Sequence, residues 1–189
     1  MSAIHPGYTI EDLEGLRLCS DLRFELVDGV VLVTPSPEPA HNLLAGEIYA
    51  QVRTWLMAQG AGRIIFSQVD VQLDERTVVG PDLTVLLNDR LEQIRTNRIV
   101  GAPSLVVEVI SKSSRRGDSV DKRGKYARAA VPEYWMVDPE LQVVVRHSKP
   151  VSGSYDDVRV FSRDDVMESA TIPGLGVQLT AVFNEFETS

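Results

Sequence analysis

Two nearly continuous apolar runs, PDLTVLL at 81–87 and SLVVEVIS at 104–111, most constrain what this chain can become. Runs of that length suit strands covered on both faces, so the fold must place a layer on each side of them. One such layer is legible upstream. Between His41 and Ala58, Leu44, Ile48, Val52, Trp55 and Leu56 recur at three- and four-residue steps and make one apolar stripe along a helix. His41 stands at the start of that stripe.

The remaining elements follow from local patterning. FELVDGVVLV, 24–33, places two β-rich runs around Asp28-Gly29, the signal of a two-residue hairpin turn. TPSPEPA, 34–40, reads as a proline-punctuated loop. RIIFSQVDVQL, 63–73, reads as a strand that alternates in its second half. A polar, basic helix is predicted over Asp118–Ala130, with Asp118 as N-cap. EYWMVD, 133–138, and QVVVRHS, 142–148, form a strand pair around Asp138-Pro139, followed by a strand near 157–162 and a closing segment, TIPGLGVQLTAVF. Hairpin, helix, central strands, helix, strands predicts an α/β architecture: an α+β mixed sheet flanked by helices. With 189 residues and no repeat, low-complexity tract or long linker, the expectation is a single domain over 1–189.

Charge narrows the function classes. The net charge of −8 argues against a general nucleic-acid coat protein. Its distribution is uneven: Lys112, Arg115, Arg116, Lys122, Arg123, Lys125 and Arg128, against Asp118 and Asp121, make 112–128 a +5 segment on a body of −13. Such a patch can meet a phosphate backbone locally; it can equally be a solvated helix face with Asp118–Lys122 and Asp121–Lys125 pairs. No stretch approaches the roughly 18 apolar residues of a membrane span, and the acidic N-terminus has no signal-peptide pattern, so a cytoplasmic protein is expected. Cys19 is alone, so it forms no internal disulfide, and it is expected as a small residue near the core. One Cys and three His offer no zinc spacing, and no Walker-type glycine loop is present.

Glu108 is the most informative residue. It sits in Val106-Val107-Glu108-Val109-Ile110, apolar on both faces, and a carboxylate there is costly to bury unless it is paired or binds a metal. Asp82 opens the other apolar run directly after Pro81; alone it could cap a turn. Two carboxylates on two core strands make a hard, oxygen-rich site suited to Mg²⁺ or Mn²⁺, the kind of centre that phosphodiester hydrolysis uses. Lys122 shares a helix face with Tyr126 and Ala129 and could orient a water or stabilise charge on phosphorus; Lys125 is its rival. Glu25, on the hairpin face of Val27, and His41 are candidates to support the site or contact substrate. Glu47 and Asp70 read as surface charges.

The ordered set FELVDG, His41 at a helix start, PDLTVL, LVVEVIS, a helical lysine before Tyr126, and VPEYWMVD resembles a large bacterial family of restriction endonucleases, abundant in cyanobacteria, in the PD-(D/E)xK nuclease superfamily. The resemblance spans about 20–183. It implies a restriction-endonuclease-like core and a Mg²⁺ site in which Asp82 and Glu108 match the motif acids and the Val109 carbonyl joins them. The superfamily's usual lysine position holds Ile110; the resemblance places that lysine at Lys122 on the following helix. Glu25 and His41 match further polar positions of the pattern. Two departures stand out: Ala130 where the family more often has glycine, and Lys112 where it usually has proline. The expected function is a metal-dependent endonuclease acting on DNA. The acidic body makes that binding weak and salt-sensitive, and a homodimer is expected to help. The alternatives are a non-catalytic interaction protein that keeps the fold, and a hydrolase of smaller phosphate esters.

Overall fold

A computed structural model describes residues 7–19, 22–34, 38–66, 69–110 and 122–187. The elements are α1 (Ile10–Leu18), β1 (Arg23–Val27), β2 (Val30–Thr34), α2 (Pro39–Gln59), β3 (Gly62–Phe66), β4 (Val71–Asp74), β5 (Thr77–Val79), β6 (Leu83–Leu87), β7 (Ile99–Val100), β8 (Leu105–Val109), α3 (Lys122–Arg128), β9 (Glu133–Asp138), β10 (Val143–Val151), β11 (Ser154–Ser162), β12 (Val166–Glu168), β13 (Gly176–Gln178) and α4 (Leu179–Glu187). The α+β class with helices flanking mixed sheets is as expected.

Two sheets stand where one central sheet was expected. A five-stranded sheet runs β2-β1-β5-β4-β7, a six-stranded sheet runs β11-β10-β9-β8-β6-β3, and β12-β13 form a small ribbon. The difference arises at 63–73, which is two strands rather than one. Its first half is the β3 edge of the larger sheet, paired with β6, and its second half is β4, paired with β5 and β7. A chain that changes sheets in this way makes a corner between stacked sheets.

The stacking explains why 81–87 and 104–111 are apolar on both sides. One face of the six-stranded sheet presents Leu83, Val85, Leu105, Val107 and Trp135 to the α2 stripe and to Val182 and Phe183 of α4. The other face presents Leu86, Val106 and Tyr134 to Tyr126 of α3 and to Val27, Val71, Val79 and Ile99 of the smaller sheet. Beyond that sheet, Leu13 of α1 packs on Leu26 and Val78. The helix α1 was not anticipated. A Thr9–Asp12 capping box starts it, but Leu13 is its one buried residue, so it carries no apolar stripe.

Local signals behaved as physical chemistry requires. Asp28 and Gly29 both have positive φ (50° and 76°), as a type I′ hairpin turn demands. Pro39 opens α2 and Gly60, at φ 58°, closes it. Ala130 also takes a left-handed φ of 57° after α3, the conformation for which glycine is the better residue. Two expectations were wrong. Cys19 is exposed, as the C-cap of α1 rather than a core residue. Asp70 is half-buried and holds Arg17 in a two-oxygen ion pair, because α1 lies over it. The proposed cap Asp118 and its partner Asp121 lie outside the described residues.

Candidate active site

Strand register brings Asp82 and Glu108 together. β6 and β8 are antiparallel with Leu83 opposite Val107; one step further in the same register, Asp82 stands opposite Glu108. Directly opposed residues have Cβ atoms about 4.5–5.5 Å apart, close enough for their carboxylates to repel. Asp82 is held at that point from two sides. Its Oδ2 accepts the Val109 N–H at 2.8 Å, and its Oδ1 lies 2.9 Å from Nε2 of His41. The approach becomes an ion pair when the His41 ring is protonated. Burial pulls the His41 pKa down, but Asp82, with Glu108 and Glu38, outweighs it, and the net shift is upward.

Lys122 bridges the two sheets. Its Nζ donates to Glu108 Oε1 at 3.1 Å and to Glu25 Oε1 at 2.9 Å. Glu25, on β1, is 6% exposed, and the same oxygen accepts the Gly80 N–H at 2.9 Å. Tyr126, one turn beyond Lys122, donates its phenol to Glu108 Oε1 at 2.6 Å. Among the described residues, the side-chain donors to Glu108 therefore fall on one of its oxygens.

The electrostatics follow from this crowding. Burial pushes the Glu108 pKa up to about 7; Lys122 opposes that, and Asp82 and Glu25 add to it. Burial alone would lower the Lys122 pKa, but Glu108 and Glu25 reverse the sign and raise it. Tyr126 is raised well above a normal phenol by burial and by Glu108. Glu108 and Glu25 thus share one ammonium, and Asp82, with His41 behind it, adds a third carboxylate beside Glu108. Among the described residues the cluster holds three carboxylates against one lysine and one histidine.

The two candidate lysines separate clearly. Lys125 points away, into an ion pair with Asp28 at the hairpin turn, which Arg128 approaches at 3.6 Å. Of the basic residues in the segment, Lys122, Lys125 and Arg128 face acids of this chain, Arg123 lies on the same helix, and Lys112, Arg115 and Arg116 lie outside the described residues. Sequence reasoning placed Tyr126 on the Lys122 face without giving it a part in the site. The i, i+4 spacing of Lys122 and Tyr126 was the available signal, since it sends both polar ends to one acceptor.

A family model described as "Putative restriction endonuclease" matches residues 10–181. The chain belongs to this family, Uma2. No curated protein matches it in sequence. Among solved structures it is similar to "a putative nuclease belonging to DUF820 from Anabaena variabilis ATCC 29413", with 16% identity, a TM-score of 0.73, and coverage of 88% of this chain and 93% of that one. At that identity the likeness establishes the fold. A second structure, the type IIG restriction endonuclease BpuSI, aligns at 12% identity over 82% of this chain and 17% of that one, with a TM-score of 0.39, too low to establish a shared fold.

The donor set of this Uma2 chain is compatible with a hard divalent cation. Among the described residues no three His, Cys, Asp or Glu side chains group as metal ligands. Asp82 and Glu108 stand opposed, and among the described residues the hydrogen bonds to Glu108 leave its second oxygen open. The Val109 N–H turns toward Asp82, and a strand residue presents its C=O on the same side as its N–H. Two carboxylates, a carbonyl and waters are a set that suits Mg²⁺, which keeps much of its hydration. Among the described residues no helix is long and apolar enough to cross a membrane.

Proposed function

We propose that the chain is a divalent-metal-dependent endonuclease that hydrolyses DNA phosphodiester bonds, acting as a homodimer. The observation that carries this reading is the Asp82–Glu108 pair, opposed by strand register, with Lys122 on Glu108. The Uma2 membership supports it independently. Asp82, Glu108 and the Val109 carbonyl would hold Mg²⁺ or Mn²⁺. When bound, such an ion activates a water and neutralises charge growing on the phosphate.

The chain's own residues do the rest. Glu25 and Glu108 hold the Lys122 ammonium at the site, where it can steer the attacking water or stabilise the pentacovalent phosphorus. His41 and the Val109 N–H fix the Asp82 carboxylate, one contact on each oxygen. Tyr126 anchors Glu108 through Oε1, which orients its other oxygen. Lys125 belongs to the hairpin contact rather than to the chemistry.

The test is cleavage of supercoiled and linear DNA with Mg²⁺ or Mn²⁺ by the wild type, Asp82→Asn and Lys122→Met. Cleavage that is metal-dependent and lost in both variants is expected. Cleavage unchanged in both removes the site assignment. Absence of cleavage of any nucleic acid by a folded, metal-binding wild type favours a non-catalytic interaction protein that keeps the fold.

A further inference from the structure

The six-stranded sheet ends on β11, nine residues long, with no strand beyond it among the described residues. Open edges are templates for another strand, and natural sequences usually blunt them with lysine, proline or a short strand. β11 has full length and neither lysine nor proline; its charges are Asp156, Asp157 and Arg159, and between and beyond them it exposes Val158 (51%) and Val160 (63%).

The hydrogen-bond phase of this edge can be traced through the sheet. Ile110 N–H bonds to the Val137 carbonyl, so Val137 faces β8, and its neighbours Met136 and Asp138 face β10. They pair with Val145 and Val143, which leaves Val144, Arg146 and Ser148 facing β11, opposite Phe161, Arg159 and Asp157. Alternation then points the free N–H and C=O groups of Val158 and Val160 outward.

We infer that β11 pairs with β11 of a second copy of this chain, antiparallel and centred on Val158, so that two six-stranded sheets become one. That register satisfies two conditions together. It sets the outward-facing Val158 groups against one another as a hydrogen-bonded pair. It places Asp157 opposite the partner's Arg159, twice by symmetry, in the closer, non-hydrogen-bonded pairs. On the other face it brings the two Val158 side chains together and sets each Val160 opposite Asp156 of the second copy. Centring on Asp157 or Arg159 would instead oppose like charges. Arg159 can reach across: its guanidinium is 65% exposed and lies 3.5 Å from Asp157 of its own strand, which also accepts from Ser148 at 3.0 Å and pairs with Arg146 at 3.3 Å. A symmetric contact of this kind is self-complementary and closes at two copies.

The inference deepens the homodimer in the proposed function and names its surface, but its test does not involve nuclease activity. Sedimentation of the full chain at micromolar concentration is expected to show a dimer. Val158→Lys opposes two ammonium groups on the two-fold axis and should weaken the dimer more than tenfold, a loss above about 1.4 kcal/mol. Circular dichroism and thermal midpoint should stay close to wild type, because position 158 is half exposed. Val33→Lys, on the exposed β2 edge, should leave the dimer intact. In a Cys19→Ser background, Val158→Cys should be joined by a short bis-maleimide into a covalent dimer. A monomeric wild type, or a dimer that survives Val158→Lys, overturns the inference.

Discussion

Glu108 and Glu133 are both carboxylates on core strands, one on β8 and one on β9, and the two strands run parallel as neighbours. Their surroundings differ completely. Glu133 is fully buried and collects neutral donors: the Trp135 indole at 2.6 Å, the Ser169 hydroxyl at 2.8 Å, the Thr171 hydroxyl and N–H at 2.6 and 2.9 Å, and the Ala170 N–H at 3.1–3.2 Å. These donors come largely from 169–171, so the carboxylate ties β9 to the start of the C-terminal segment. Glu108 has Lys122 and Tyr126 on a single oxygen and two other carboxylates close by. A buried acid that is saturated with donors is structural; one left crowded by like charges is poised to take a cation.

The largest effect should come from the saturated acid. Glu133→Ala leaves the indole, two hydroxyls and two backbone N–H groups without their acceptor, and should cost about 3–5 kcal/mol in denaturant unfolding, with no direct effect on metal binding. A loss below 1 kcal/mol, on the scale of an exposed group, would remove the distinction between the two acids. Asp82→Asn tests the other side. It should lower metal-dependent cleavage on the order of 10²–10³-fold while changing the thermal midpoint little.

The third effect is one of pH, read on metal-free protein. Glu108 holds its proton more tightly folded, near pH 7, than unfolded, near the ordinary 4.5. Its contribution to stability is therefore present at pH 4 and is lost as pH rises through 7. Unfolding experiments should show the wild type losing on the order of 2–3 kcal/mol over that window relative to Glu108→Gln. Parallel pH curves for the two proteins would mean that Glu108 is not crowded. The smallest effect belongs to Lys125→Gln. The Asp28 partner is well exposed, so stability should change by about 1 kcal/mol or less and cleavage not at all. A large loss of cleavage would make Lys125 the working lysine instead.

Much of this was legible before folding was considered. The Asp28-Gly29 hairpin, the α2 stripe and the EYWMVD strand are local patterns, and local patterns survive because periods of 2 and 3.6 are properties of the backbone itself. Glu108 stood out because a carboxylate inside a two-sided apolar strand needs a partner. The split of 63–73 and the helix α1 were not legible, since neither a change of sheet nor a helix with one buried residue alters the local period. Tyr155 and Glu133 likewise gave no signal; apart from Trp135, their hydrogen-bond partners lie 24 to 38 residues away.

By itself, then, the sequence determined that two apolar strands carry acids that must be explained, and that a basic helix follows them. Only the tertiary structure decided how those acids are answered. The step from Leu83–Val107 to Asp82–Glu108 is a matter of strand register. The choice of Lys122 over Lys125 depends on which side of α3 meets β1, whose Glu25 lies 97 residues earlier. Side-chain periodicity sets which residues share a face, but charge pairing across two sheets depends on how those faces stack, and no single segment encodes that.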